Sequence, residues 1–180
     1  MTWSCWRLLA ALLLLLLATV FARGQDAAVN RFAGLPQIVH AAGIIFSGRV
    51  TSVEQASGRA AAPLGQHTSS TAITFQVEHA IRGVSAGQIL TIHEWVGLWE
   101  CGERYRVGER VLLFLYPPSR LGLTSPVAAG GARFAIDPHD QIMMTPRNVA
   151  TFAPDRLIGG KTRVPYSDFA RAVLRASREE

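Results

Sequence analysis

The sequence predicts a mainly β protein: a small, closed or nearly closed antiparallel barrel with a short helix before it and a helix after it. Three observations carry this. Between Thr71 and Ile81 apolar and polar residues alternate with period two, the mark of a half-buried antiparallel strand. Several other short runs of β-branched and aromatic residues are separated by Gly/Pro turns. From Pro165 onward the period changes to that of an amphipathic helix. Closure removes the exposed edges that an open sheet would otherwise offer to aggregation.

The elements follow in order. Residues 25–42 form a polar lead-in and a short helix, Leu35 to Ala42, with Pro36 in its first turn and Gly43 as its stop. Residues 43–145 are the barrel. Ile44 to Glu54 is a long first strand, and Gly48 inside it marks a bulge or sharp coil. Gln55 to Ser70 is a loop of Ala, Gly, Ser and Pro. In the next strand Ile73, Phe75, Val77, His79 and Ile81 share one face. A two-glycine turn leads to a strand from Gln88 to Trp95, completing a hairpin. Glu109 to Tyr116 is nearly all apolar, so it is a strand buried on both faces. Leu121 to Val127 is a candidate for further pairing. Arg133 to Ile136 and Gln141 to Thr145 flank the turn Asp137-Pro138-His139-Asp140. Residues 146–180 are a linker and a C-terminal helix to about Ala176. Its apolar face, Phe169, Ala172, Val173 and Ala176, docks on the barrel, and Arg171, Arg175 and Arg178 face water.

The first 24 residues read as a secretory signal peptide. Arg7 is the positive lead, Leu8 to Ala22 is the apolar run, and small residues suit a cut before Arg23 or before Gln25. The run falls short of the roughly 20 residues a bilayer span needs. The expected address is therefore secreted or periplasmic, with no transmembrane span after cleavage. The formal charge of +5 drops by one with Arg7 and by one more if Arg23 leaves. This small, scattered excess makes nucleic acid the weaker partner class. Cleavage also removes Cys5 and leaves Cys101 alone: buried, free or paired with another chain. The oligomeric state stays open.

Motifs between Gly43 and Pro126 carry a resemblance. Ile45 to Val53 reads IFSGRVTSV, and Thr74 to Gly83 reads TFQVEHAIRG. Cys101-Gly102, then Val107 to Phe114 (VGERVLLF), then Leu123-Thr124-Ser125 follow in order. This stretch resembles secreted bacterial proteins of the netrin-like, TIMP-like OB-barrel type. The resemblance implies an OB-like barrel and supplies no activity. Two departures limit it. In look-alikes the cysteine matching Cys101 pairs with another just after the LTS, where this chain has Pro126-Val127. The animal inhibitors of this type chelate a protease zinc through an N-terminal cysteine. The expected start at Arg23 or Gln25 has none nearby.

The chemistry-bearing patterns are sparse. There is no Gly-x-Ser-x-Gly elbow, phosphate loop or dinucleotide fingerprint, so no cofactor is expected. His40, His67, His79, His93 and His139 lack zinc spacing. His79 and His93 could meet across the hairpin, but the plainer reading keeps them apart. Glu54, Glu78, Glu94, Glu100, Glu103 and Glu109 carry no signal that singles one out for acid–base work. The stretch from Trp95 to Tyr105 stands out: it gathers Trp95, Trp99, Arg104 and Tyr105 on one connection. Such residues are enriched at binding hot spots, and loops on rigid barrels carry function. The alternative is a plug at one end of the barrel. The expectation is a non-catalytic module that binds an extracellular or periplasmic protein or peptide through these four residues. The alternatives are a regulator or inhibitor of an extracellular protease and, more remotely, a hydrolase whose site assembles only in three dimensions.

Overall fold

A computed structural model describes residues 34–56, 70–97, 104–153, 155 and 158–178. The expected signal peptide, residues 57–69 of the expected loop from Gln55 to Ser70, Trp99 and Cys101 lie outside the described residues, and Gln55 and Ser70 themselves belong to strands. The chain forms α1 (Leu35–Ala41), β1 (Ile44–Ala56), β2 (Ser70–Arg82), β3 (Ile89–Trp95) and β4 (Arg110–Leu115). A 3-10 turn (Ala128–Gly130), β5 (Arg133–Ile136), β6 (Gln141–Met143), α2 (Pro146–Thr151), β7 (Arg163–Pro165) and α3 (Tyr166–Ala176) follow. All strands join one seven-stranded sheet in the order β3-β2-β1-β4-β5-β6-β7, with every ladder antiparallel.

This sheet corrects the expectation of a closed barrel. The outer edge of β4 is taken by β5, so the ladder runs on to β7 instead of returning to β3. The segment expected to pair from Leu121 makes only two isolated bridges, His93 to Leu123 (parallel) and Leu115 to Pro126 (antiparallel). Pro126 has no N–H to donate, and Gly122 takes a positive φ of 73°, so a regular strand is broken at both ends.

The sheet packs on two sides. One core lies between the sheet and the helices: Ile45, Leu112, Phe114, Phe134, Ile136, Ile142 and Val164 meet Ile38 and Val39 of α1 and Phe169 and Val173 of α3. Phe134 stands at its middle, with ring centroids 5.0 Å from Phe169 and 5.5 Å from Phe152. The second core lies on the other face of β1 to β4 and holds Phe46, Val50, Ile73, Phe75, Val77, Ile92, Val111, Leu113 and Leu115. Strand β4 therefore divides its side chains by parity. Leu112 and Phe114 enter the first core, and Val111, Leu113 and Leu115 enter the second. The unbroken apolar run is needed because neither face meets water.

Curvature comes from irregular pairing between β1 and β2. Their register slips between Ile45 and Phe46, between Ser47 and Gly48, and between Val50 and Ser52. Each slip leaves one extra residue (Ile81, Glu78 and Thr51) and adds local twist. Gly48 sits at the middle slip, as its place in the strand suggests. A Cβ there would stand 2.5 Å from the Gln76 carbonyl oxygen, so only glycine lets the strands approach. The slip at Glu78 also corrects the expected face of β2. Ile73, Phe75 and Val77 point inward, but His79 is exposed and Ile81 packs on the other core. An extra residue reverses the phase of everything beyond it.

The stretch from 146 was expected to be a linker before the last helix. It carries α2 and β7 instead, and β7 completes the sheet. Thr145 caps α2 in a reciprocal box with Asn148, and Pro146 opens the helix. Asn148 is buried, and its amide also donates to the carbonyls of Gly131 (2.8 Å) and Arg133 (3.1 Å). Helix α3 buries Phe169, Val173 and Ala176 in the first core, with Arg171 and Arg175 outside. At the other end Arg82 donates to the Val39 and Ala42 carbonyls, closing the C-terminus of α1. No helix among the described residues is long and apolar enough to cross a membrane.

Gly48→Ala tests the close approach of β1 and β2. The expected outcome is a loss of about 2 kcal/mol in urea denaturation, in the range of overpacked cores; an unchanged midpoint would show that the strands can part freely.

Candidate functional site

Strand β3 alternates between the second core and solvent. Ile92 and Glu94 point inward, and Ile89, Thr91, His93 and Trp95 point outward. Of the four residues singled out in the sequence, the three that are described do not share one surface. Trp95 ends β3 on the outer face with 53% of its surface exposed. Its ring leans over Gly97, where any Cβ would collide with it. Arg104 is exposed as well. Tyr105 is buried in the second core, edge-on to Phe75 with centroids 5.6 Å apart. Trp99 lies outside the described residues.

Tyr105 organises a polar strip along one margin of that core. Its hydroxyl donates to Oε1 of the buried Glu94 at 3.0 Å. Over its ring lies the Arg133 guanidinium, 3.9 Å from the centroid, close enough for a favourable cation–π contact. Arg133 also pairs with Glu109 at 3.2 Å and donates to the Arg104 carbonyl at 3.1 Å. Glu109 in turn accepts from the Arg106 N–H at 3.0 Å. The strip thus fastens the segment 104–109 to β3 on one side and to β5 on the other. Burial, followed by the nearby Glu94 charge, pushes the Tyr105 phenol well above its usual pKa. It stays protonated and serves as a donor, not as a base.

A second polar group lies on the opposite side of β1. Arg110 donates to Glu78 at 2.9 Å and to Asp140 at 2.8 Å. Arg49 stands 3.7 Å from the other Glu78 oxygen. The buried Ser47 hydroxyl meets the Tyr166 hydroxyl at 2.8 Å, and the His79 ring lies 5.6 Å from that of Tyr166. Glu78 is the extra residue of the middle slip, so the bulge aims its carboxylate at Arg110. Burial raises the Tyr166 pKa, so Ser47 has a protonated phenol as its partner, not a base. This group ties β2, β4 and the β5–β6 turn together.

Among the described residues no group of three or more His, Cys, Asp or Glu is placed to hold a metal ion. In the hairpin register His93 faces Ala72, seven positions from His79, so the two histidines do not meet. Glu94 and Arg133 were missed as partners of Tyr105 in the sequence, and Glu109 as the partner of Arg133. Only the inward parity of Glu94, two residues from Ile92, hinted at a buried carboxylate needing a donor.

Tyr105→Phe removes the donor to Glu94 and should cost about 2 kcal/mol, as for a hydrogen bond to a charged group. The alkaline limb tests the same contact. The folded phenol titrates above the unfolded value of about 10, so its stabilisation is complete below pH 10. Above it the native state binds the extra proton. Stability should then fall by about 1.4 kcal/mol per pH unit from this group, until the folded pKa is passed. Denaturation of Tyr105→Phe between pH 9 and 11 should lack that share of the slope; an identical slope would place the phenol in water.

Comparison with protein-family models, with curated proteins and with solved structures finds no match.

Proposed function

We propose that the chain is a secreted or periplasmic, non-catalytic binding module that recognises a protein or peptide at the cell envelope. The observation that carries this reading is the environment of Trp95. A large indole is left half in water at the end of an edge strand, while the residues directly behind it, Glu94 and Tyr105, are locked in a buried strip. An exposed aromatic on a rigid support loses little freedom when it is covered, which is why such residues dominate interfaces. Arg104 lies at the exposed end of the same strip. Tyr105 acts as support and not as contact surface, and the role of Trp99 rests on the sequence alone.

The finer reading of the fold is an OB-like arrangement of β1 to β4, left open in the sheet and spanned by the segment 119–127. The two isolated bridges favour it, because they set that segment between β3 and β4. Backbone bonds from Thr124 to the His93 carbonyl (2.8 Å) and from Val127 to the Phe114 carbonyl (2.8 Å) run the same way.

Affinity capture with the immobilised protein tests the function. Secreted and periplasmic proteins of the source cell are passed over the native chain and over Trp95→Ala. The substitution should leave stability within about 0.5 kcal/mol, as for an exposed site. One protein retained by the native chain and lost on the variant supports the module. If that protein is a protease whose activity falls at a stoichiometric ratio, the module is a regulator. Equal retention on both chains contradicts a role for Trp95.

A further inference from the structure

The second core contains one polar atom that the fold does not satisfy. Thr71 is fully buried, and its Oγ1 has no hydrogen-bond partner. It is the only such side-chain atom among the described residues. Leaving a hydroxyl dry and unpaired is costly, so its persistence asks for a reason.

The register supplies the setting. Thr71 on β2 pairs directly with Glu94 on β3. Both side chains point inward, Thr71 in line with Ile73 and Phe75, and Glu94 in line with Ile92. Paired residues on one face of an antiparallel ladder hold their Cβ atoms about 4.5–5.5 Å apart. The Thr71 and Glu94 side chains are thus neighbours on one buried face with no hydrogen bond between them, while the Tyr105 hydroxyl bonds the Glu94 carboxylate. Three oxygen-bearing side chains therefore lie at one end of an otherwise apolar core. That is the setting in which proteins hold internal water, which typically makes two to four bonds to buried polar groups.

We propose that Thr71, Glu94 and Tyr105 form an internal site for one small hydrogen-bonding guest, a water molecule that bridges the Thr71 hydroxyl to the Glu94–Tyr105 pair. The hydroxyl donates to or accepts from the guest, and the guest donates to the carboxylate. The strip beneath Trp95 is then a network in which each member is satisfied, and the guest is part of the support. The proposal rests on the burial and register of Thr71 and stands whether or not Trp95 binds a partner. The guest belongs to the second core, and neither the Arg110 group nor the exposed face takes part in it.

The test uses the full chain and three variants of one residue. Water-to-protein cross-relaxation by NMR should show a long-lived water close to the Thr71 and Glu94 amide protons. Thr71→Ser keeps the hydroxyl and should keep the signal. Thr71→Val keeps the shape, removes the hydroxyl, and should lose the signal while the unfolding equilibrium constant rises about tenfold. If Thr71→Val does not fold, Thr71→Ala takes its place and the native signal remains decisive. No long-lived water in the native protein overturns the proposal. So does a Thr71→Val protein that is as stable as the native one, because the hydroxyl would then be an unsatisfied group that the core merely tolerates.

Discussion

Strand β4 is the constraint on which the rest of the molecule depends. Its two edges are occupied by β1 and β5, and its two faces belong to different cores. A strand so placed cannot carry a polar residue between Val111 and Leu115 without leaving it dry, and none occurs there. Burying a side chain of this size is worth about 1.5–3 kcal/mol, and here five consecutive residues from Val111 to Leu115 are buried. Because neighbours in sequence go to opposite cores, a defect in one core strains the backbone that shapes the other. The helices, the β5–β7 extension and the β1–β4 part of the sheet are thereby joined through six residues.

The polar groups sit at the margins of this arrangement and fix what the apolar contacts leave free. Hydrophobic packing does not choose the angle at which the 104–109 segment returns; the Arg133–Tyr105–Glu94 strip does. It also does not fix where the β5–β6 turn lies against β2, which is the work of Arg110 between Glu78 and Asp140. The two differ in weight. Arg133 is nearly buried, whereas Asp140 is mostly in water, so solvent weakens the Arg110–Asp140 half of its group. The strip is the firmer of the two and lies directly behind the exposed indole. A binding surface built this way gains its rigidity from the core.

Much of the sheet was legible because one signal dominates each strand. Ile73, Phe75 and Val77 alternate with threonine and glutamine, and β2 follows. The apolar run of β4 and the Asp137-Pro138-His139-Asp140 turn were equally plain. The failures have physical causes. Alternation is read by counting, and a bulge at Glu78 adds a residue that counting cannot see, so His79 and Ile81 were assigned to the wrong side. The barrel was overdrawn because a pattern of strands does not say which edges meet; β5 on the edge of β4 decides that. Helix α2 is six residues long and uses asparagine where a capping box commonly has glutamate or glutamine. Strand β7 is three residues long with a single buried side chain. Tyr105 read as surface because it stands with Trp95, Trp99 and Arg104 on one connection between strands, where such residues are enriched at binding hot spots. Its burial is arranged by Arg133 and Glu94, which are distant in sequence.

Native-state hydrogen exchange of the β4 amides tests the central claim most directly. If β4 joins both cores into one cooperative unit, the amides from Val111 to Leu115 exchange only through global unfolding. Those of Phe75 in one core and Phe134 in the other then share their free energy and their dependence on denaturant. Exchange of Phe134 at a distinctly lower free energy than Phe75, or the reverse, would show that the cores open separately and would contradict the account.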